Sequence, residues 1–128
     1  MEQWVPFAEG EYLVEEAFLA APDNTALNLE KAVVEVFQDA SGQRRLRGVA
    51  RVRPYYMVQL MGENDAIDLI LDLGGEFKYR LPRPTLRSGK VFSPDVKAVL
   101  QFSPTVPWAP LSQKTYGEMK RKLAFISP

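Results

Sequence analysis

Four arginines, Arg45, Arg47, Arg51 and Arg53, recur at steps of two and four residues, the period that places side chains on one face of a β-strand. Downstream lie Tyr55, Tyr56, Phe77 and Tyr79, with Lys78 and Arg80 between and beside the last two. Guanidinium groups bind phosphate and aromatic rings stack on bases, so the combination could carry single-stranded nucleic acid on a sheet face. Two features weigh against that chemistry. Lys31 and Glu35 share the face, and no Lys/Arg-Gly-Phe motif of the RNA-recognition type is present. A solvated strand face, or one covered by an acidic neighbour, uses the same residues.

A second cluster, Glu63, Asp65, Asp68 and Asp72, has the oxygen ligands that magnesium or calcium takes. On a strand, Asp68 and Asp72 stand about 13 Å apart, too far to share one ion directly, and the spacing fails the calcium-loop pattern. They read instead as strand acids facing Lys78 or Arg80. The chain has no cysteine and no histidine. Thiolate and Ser-His-Asp nucleophiles, Cys-ligated zinc, iron–sulfur clusters and the commonest general base therefore cannot be built from it. No carboxylate pair stands out as an acid/base couple, and no glycine-rich loop with a following Lys-Ser/Thr cradles phosphate. The expectation is a non-catalytic protein without metal or cofactor.

What remains is charge. The formal net charge is zero, yet residues 1–30 hold seven acids and no base, and residues 77–128 hold ten bases against two acids. Separation of this kind steers association and fixes the orientation of partners. The candidate partner-binding residues are the arginine ladder, the acids Glu11, Glu15 and Glu16, the bases Lys120, Arg121 and Lys122, and Trp108. Trp108 lies in Pro104-Thr105-Val106-Pro107-Trp108-Ala109-Pro110, where prolines at every third residue favour an extended polyproline II strand. Such a segment can be a ligand for a groove, or it can pack along its own domain with the tryptophan buried.

These residues need elements to position them. Residues 9–21 read as a helix with Tyr12, Leu13, Ala17 and Phe18 on one stripe and Glu11, Glu15 and Glu16 away from it, stopped by Pro22-Asp23-Asn24. Lys31–Gln38 and Arg44–Arg53 read as a hairpin about Asp39-Ala40-Ser41-Gly42-Gln43. Centred on Ser41, that hairpin pairs Val36 with Leu46, Val34 with Gly48 and Ala32 with Ala50 on one side. On the other side it pairs Glu35 with Arg47, Phe37 with Arg45 and Lys31 with Arg51. A second hairpin joins Ala66–Leu73 to Phe77–Leu81 through Gly74-Gly75-Glu76, aligning Leu71 with Tyr79 and Asp72 with Lys78. Ser93-Pro94-Asp95 has the N-cap, N1 proline and early acid of a short helix over 94–102, with Val96, Val99 and Leu100 inward. Ser112 to Ile126 reads as an amphipathic helix, weakened at Gly117 by about 1 kcal/mol relative to alanine.

The expected fold class is therefore α+β. One domain spans 1–128, with a twisted antiparallel sheet of about four to six strands packed by an acidic N-terminal helix, a short middle helix and a basic C-terminal helix. The opening Met1-Glu2-Gln3-Trp4-Val5-Pro6 lacks the charged and apolar regions of a secretory signal, and no apolar run approaches about 18 residues. A cytoplasmic protein with no membrane span is expected.

From Arg45-Leu46-Arg47-Gly48 through Arg53-Pro54 to Gly74-Gly75-Glu76-Phe77 and Leu81-Pro82, about forty residues resemble the strand rhythm of periplasmic lipoprotein carriers. That resemblance rests on turn residues and alternation. It implies a half-open antiparallel barrel holding an apolar ligand or lipid. Three functional expectations stand: a protein-binding regulator, inhibitor or assembly subunit acting on a larger macromolecular machine, such as one that transcribes or processes nucleic acid; single-stranded nucleic-acid binding on the Arg/Tyr face; and carriage of an apolar ligand.

Overall fold

β-branched and apolar residues at alternate positions dominate the chain from Thr25 to Val52, and this stretch forms the centre of the structure. The computed structural model describes residues 8–53, 56–57, 60, 66–75, 77–88, 98–106 and 108–126. The strands are β1 (Gly10–Leu13), β2 (Glu16–Ala20), β3 (Thr25–Gln38), β4 (Arg44–Val52), β5 (Asp68–Asp72), β6 (Lys78–Leu81), β7 (Thr85–Ser88), β8 (Ala98–Ser103), β9 (Ala109–Leu111) and β10 (Ala124–Phe125). A helix, α1 (Gln113–Lys122), follows β9, and Tyr56, Met57 and Leu60 have helical backbone after β4.

Among the described residues the fold is a curled, mostly antiparallel half-barrel of ten strands, in the order β7-β8-β4-β3-β2-β5-β6-β9, with β1 and β10 also pairing β3. This corrects the α+β expectation of three helices on a four-to-six-stranded sheet. Residues 9–21 are not a helix. They form β1 and β2 along a single edge of β3, with Leu13 opposite Val33 and Ala17 opposite Leu29. The expected middle helix is overturned where it can be seen, since 98–102 belong to β8 and pair with β4; its start at 94–97 lies outside the described residues. The C-terminal helix is real but ends at Lys122, after which Ala124 and Phe125 pair in parallel with Thr25 and Ala26.

Strand β3 bends where its register with β4 shifts between Glu30 and Val33, and Lys31 there has φ 52°, the left-handed backbone of a bulge. Beyond the bend, its C-terminal half belongs to a first sheet with β1, β4, β8 and β7. Its N-terminal half belongs to a second sheet with β2, β5, β6 and β9. On the far side the chain crosses twice between the sheets, through Pro82-Arg83-Pro84 and again between β8 and β9. The Thr105 hydroxyl donates to the Arg83 carbonyl at 2.9 Å and ties the two crossings together. Both expected hairpins keep their central registers: Val36 faces Leu46, Glu35 faces Arg47, Leu71 faces Tyr79 and Asp72 faces Lys78. The pairing expected beyond the bulge differs, because Glu30 rather than Lys31 is opposite Arg51.

The interior is filled by Leu19, Leu29, Val34, Val36, Leu46, Leu69, Leu71, Leu81, Leu100 and Phe102, all buried. The second sheet is also covered outside, where Phe18, Ala26 and Ile70 pack under Tyr116 of α1 and against Met119, Leu123 and Phe125. The Phe18 ring stands 5.4 Å from that of Phe125 and 6.1 Å from that of Tyr116. Ser112 caps the helix by accepting from the Thr115 amide at 3.1 Å, and Lys120, Arg121 and Lys122 complement its C-terminal dipole.

Candidate protein-binding face

The first sheet has the opposite arrangement: its inner face is core, and among the described residues no element covers its outer face. Alternation along β1, β3, β4, β8 and β7 sends Glu11, Leu13, Val33, Glu35, Phe37, Arg45, Arg47, Val49, Arg51, Val99, Gln101, Thr85 and Arg87 to that side. The pairing registers join Leu13, Val33 and Val49 into one row, with Val99 on the adjacent diagonal. Leu13 is 80% exposed, Val49 42% and Val99 44%, so a contiguous apolar stripe faces solvent. Twist hollows this face into a shallow depression of about 660 Å³, bordered by Glu11, Glu35, Arg47 and Arg87.

The arginine ladder lies partly on this face, but its charges are not equivalent. Arg47 pairs with Glu35, its Nε 2.8 Å from Oε1, and its guanidinium lies 4.4 Å over the Phe37 ring. Arg45 donates to Asp39 at 2.8 Å. Asp39 also accepts from the Ser41 hydroxyl at 2.6 Å and the Ser41 amide at 2.9 Å, closing the β3–β4 turn. The Ser41 and Arg45 bonds hold its carboxyl well below the usual range. Arg51 and Arg87 have no ion pair among the described residues. Arg53 stands just past the end of β4, half-buried in a second small pocket with Leu27, Tyr56 and Ile126, whose rim Arg51 and Glu30 also line.

The other sequence candidates separate from it. Glu11 lies on this face, opposite Glu35. Glu15 is exposed at the break between β1 and β2, where its amide donates to the Asp72 carbonyl at 2.8 Å. Glu16 is on the second sheet, paired with Lys120 at 2.5 Å. Lys120 thus fastens α1 to β2, and Arg121 and Lys122 are exposed on the last helical turn. Trp108 is buried, its ring 5.1 Å from that of Tyr79. It is a core residue rather than an exposed anchor.

The acids of β5 meet the expected bases. Asp72 pairs with Lys78 at 3.2 Å and Asp68 pairs with Arg80. Glu63 and Asp65 lie outside the described residues. Among the described residues no three His, Cys, Asp or Glu side chains are grouped to hold a metal ion, and no helix is long and apolar enough to cross a membrane.

Sequence reasoning overlooks Leu13, Val49, Val99 and Arg87. Val49 is legible, since it has the parity of Arg45, Arg47 and Arg51. Leu13 and Val99 fall in segments whose pattern reads as helical, and Arg87 sits on a four-residue strand with too few positions to show a period. Compared with known protein families, with curated proteins and with solved structures, the chain finds no match in any of the three.

Proposed function

We propose that the chain is a non-catalytic protein-binding module, an assembly subunit or regulator that docks a protein surface on the outer face of its first sheet. The observation that carries this reading is the asymmetry between the sheets. The second sheet's outer apolar residues lie beneath α1, whereas Leu13, Val49 and Val99 on the first stand in solvent beside Arg51 and Arg87. An apolar centre with a charged rim is the anatomy of a protein interface. Single-stranded nucleic acid is less well supported, because Asp39 and Glu35 already engage Arg45 and Arg47. The carrier reading has less support as well: the half-barrel interior is packed with leucine and valine side chains, and the 660 Å³ depression lies on its outside.

Affinity capture from source extract tests the proposal, comparing the native chain with Val49→Asp and Arg51→Glu. Both positions are exposed, so the variants are expected to fold and to lose their bound protein. Recovery of the same proteins by both variants would remove this face as the binding surface.

A further inference from the structure

Resting on the reading of this face as a protein-binding surface, we infer that its occupant is a second copy of the same chain. The support is the order of charges across the two central strands. Outward from β3 point Glu30, Val33, Glu35 and Phe37. Opposite them on β4 point Arg51, Val49, Arg47 and Arg45. One strand thus presents acids about a valine, and its neighbour presents bases about a valine.

A two-fold axis lying in the face, parallel to the strands and between β3 and β4, exchanges the two columns when a second copy is laid on the first. Glu35 of each copy then faces Arg47 of the other, Glu30 faces Arg51, and Val33 meets Val49. Glu35 and Arg47, already paired within each chain, meet a second opposite charge across the axis, Glu30 and Arg51 are set face to face, and the apolar stripe is covered. An isologous interface requires this self-complementarity. Five strand segments at about 4.8 Å spacing and about 3.3 Å per residue give roughly 500 Å² per partner, about 1,000 Å² in all, the low end for a specific interface and in keeping with a micromolar association.

Sedimentation equilibrium tests this directly. The native chain is expected at twice its 14.5 kDa mass. Glu35→Arg sets a guanidinium against Arg47 of the other copy, and Arg47→Glu sets two acids together, so each variant alone should associate at least about tenfold more weakly. An equimolar mixture of the two places unlike charges opposite each other again and should restore a mixed dimer. Circular dichroism confirms that each variant is folded, and the mixing step separates lost pairing from lost structure. A native chain that stays monomeric up to about 100 µM, a hundredfold above a micromolar Kd, overturns the inference. So does a dimer indifferent to both changes, or a mixture that fails to recover. If the chain is monomeric and yet captures another protein in a manner abolished by Val49→Asp, the face is a binding surface for a different partner. If Val49→Asp alters neither, the face reading fails too.

Discussion

The ring of Phe102 occupies the space that a β-carbon at residue 48 would need. Gly48 and Phe102 stand directly opposite on β4 and β8, and the outer end of the phenyl ring, its Cζ and Cε atoms, lies where that β-carbon would be. Glycine here serves close approach rather than a special backbone angle, and the aromatic ring fills the gap that the missing side chain leaves. Gly48→Ala forces the ring aside in a filled interior and is expected to destabilise the fold by about 1–3 kcal/mol. In urea unfolding, Phe102→Leu should relieve part of that loss, so the two changes together should cost less than their sum.

Lys78 and Asp72 form the least exposed ion pair among the described residues, with side chains 11% and 13% exposed. The lysine also donates to the Gly75 carbonyl at 2.5 Å and lies 5.1 Å over the Tyr116 ring, and Asp72 accepts from the Gly74 amide at 2.9 Å. Lys78→Met leaves a shielded carboxylate without its cation and is expected to cost roughly 2–4 kcal/mol. Adding Asp72→Leu should return much of that, measured by the same unfolding curves, since two apolar groups replace the pair.

The arginine hairpin and the first thirty residues show what a sequence reveals and what it hides. Where one face is core and the other is solvent, as in β4, residues alternate strictly, and the register can be read from turn chemistry and parity. Where both faces are buried the alternation disappears. Ala17-Phe18-Leu19 and Leu69-Ile70-Leu71 are consecutive buried residues because α1 covers the outer side of the second sheet. Beside Glu15 and Glu16, the first of these runs has helical spacing only by coincidence. Strands β7, β9 and β10 have four, three and two residues, too few to show a period. The binding face is half visible for the same reason: its arginines lie on the well-patterned strand, and its apolar stripe crosses strands that are far apart in the chain.

Acid should loosen the β3–β4 turn. The Ser41 hydroxyl and the Arg45 guanidinium stabilise ionised Asp39, so its carboxyl titrates below the 3.8 of an unfolded aspartate. A depressed pKa contributes stability that is present above about pH 4 and is lost as pH falls toward the folded value. Amide hydrogen exchange at Ser41 and Gln43 should therefore accelerate, after correction for intrinsic rates, as pH drops from about 4 to about 2. Asp39→Asn should exchange faster near neutral pH and show little further change in acid.

Alkali should act on Tyr116. Among the described residues its buried hydroxyl has no hydrogen-bond partner, and the Glu16 carboxylate lies close enough to oppose its ionisation. Burial first, then the charges of Glu16 and Asp72, raise its pKa far above the usual 10.0. The stability from this neutral phenol is complete below about pH 10 and declines as pH rises beyond it, because only the unfolded chain ionises there. Tyr116→Phe removes an orphaned polar atom and is expected to be neutral or up to about 1 kcal/mol more stable at about pH 7. Its stability should fall less steeply than that of the native chain between about pH 10 and about pH 11, which denaturant titration across that range will show.

Among the described strands, β3 alone has hydrogen bonds that hold both sheets, with β1 and β4 flanking one half and β2 and β10 the other. The two halves of β3 therefore tie the sheets together through a single backbone. A pull on Glu35 is thus passed, through one continuous backbone, to Ala26 beneath α1.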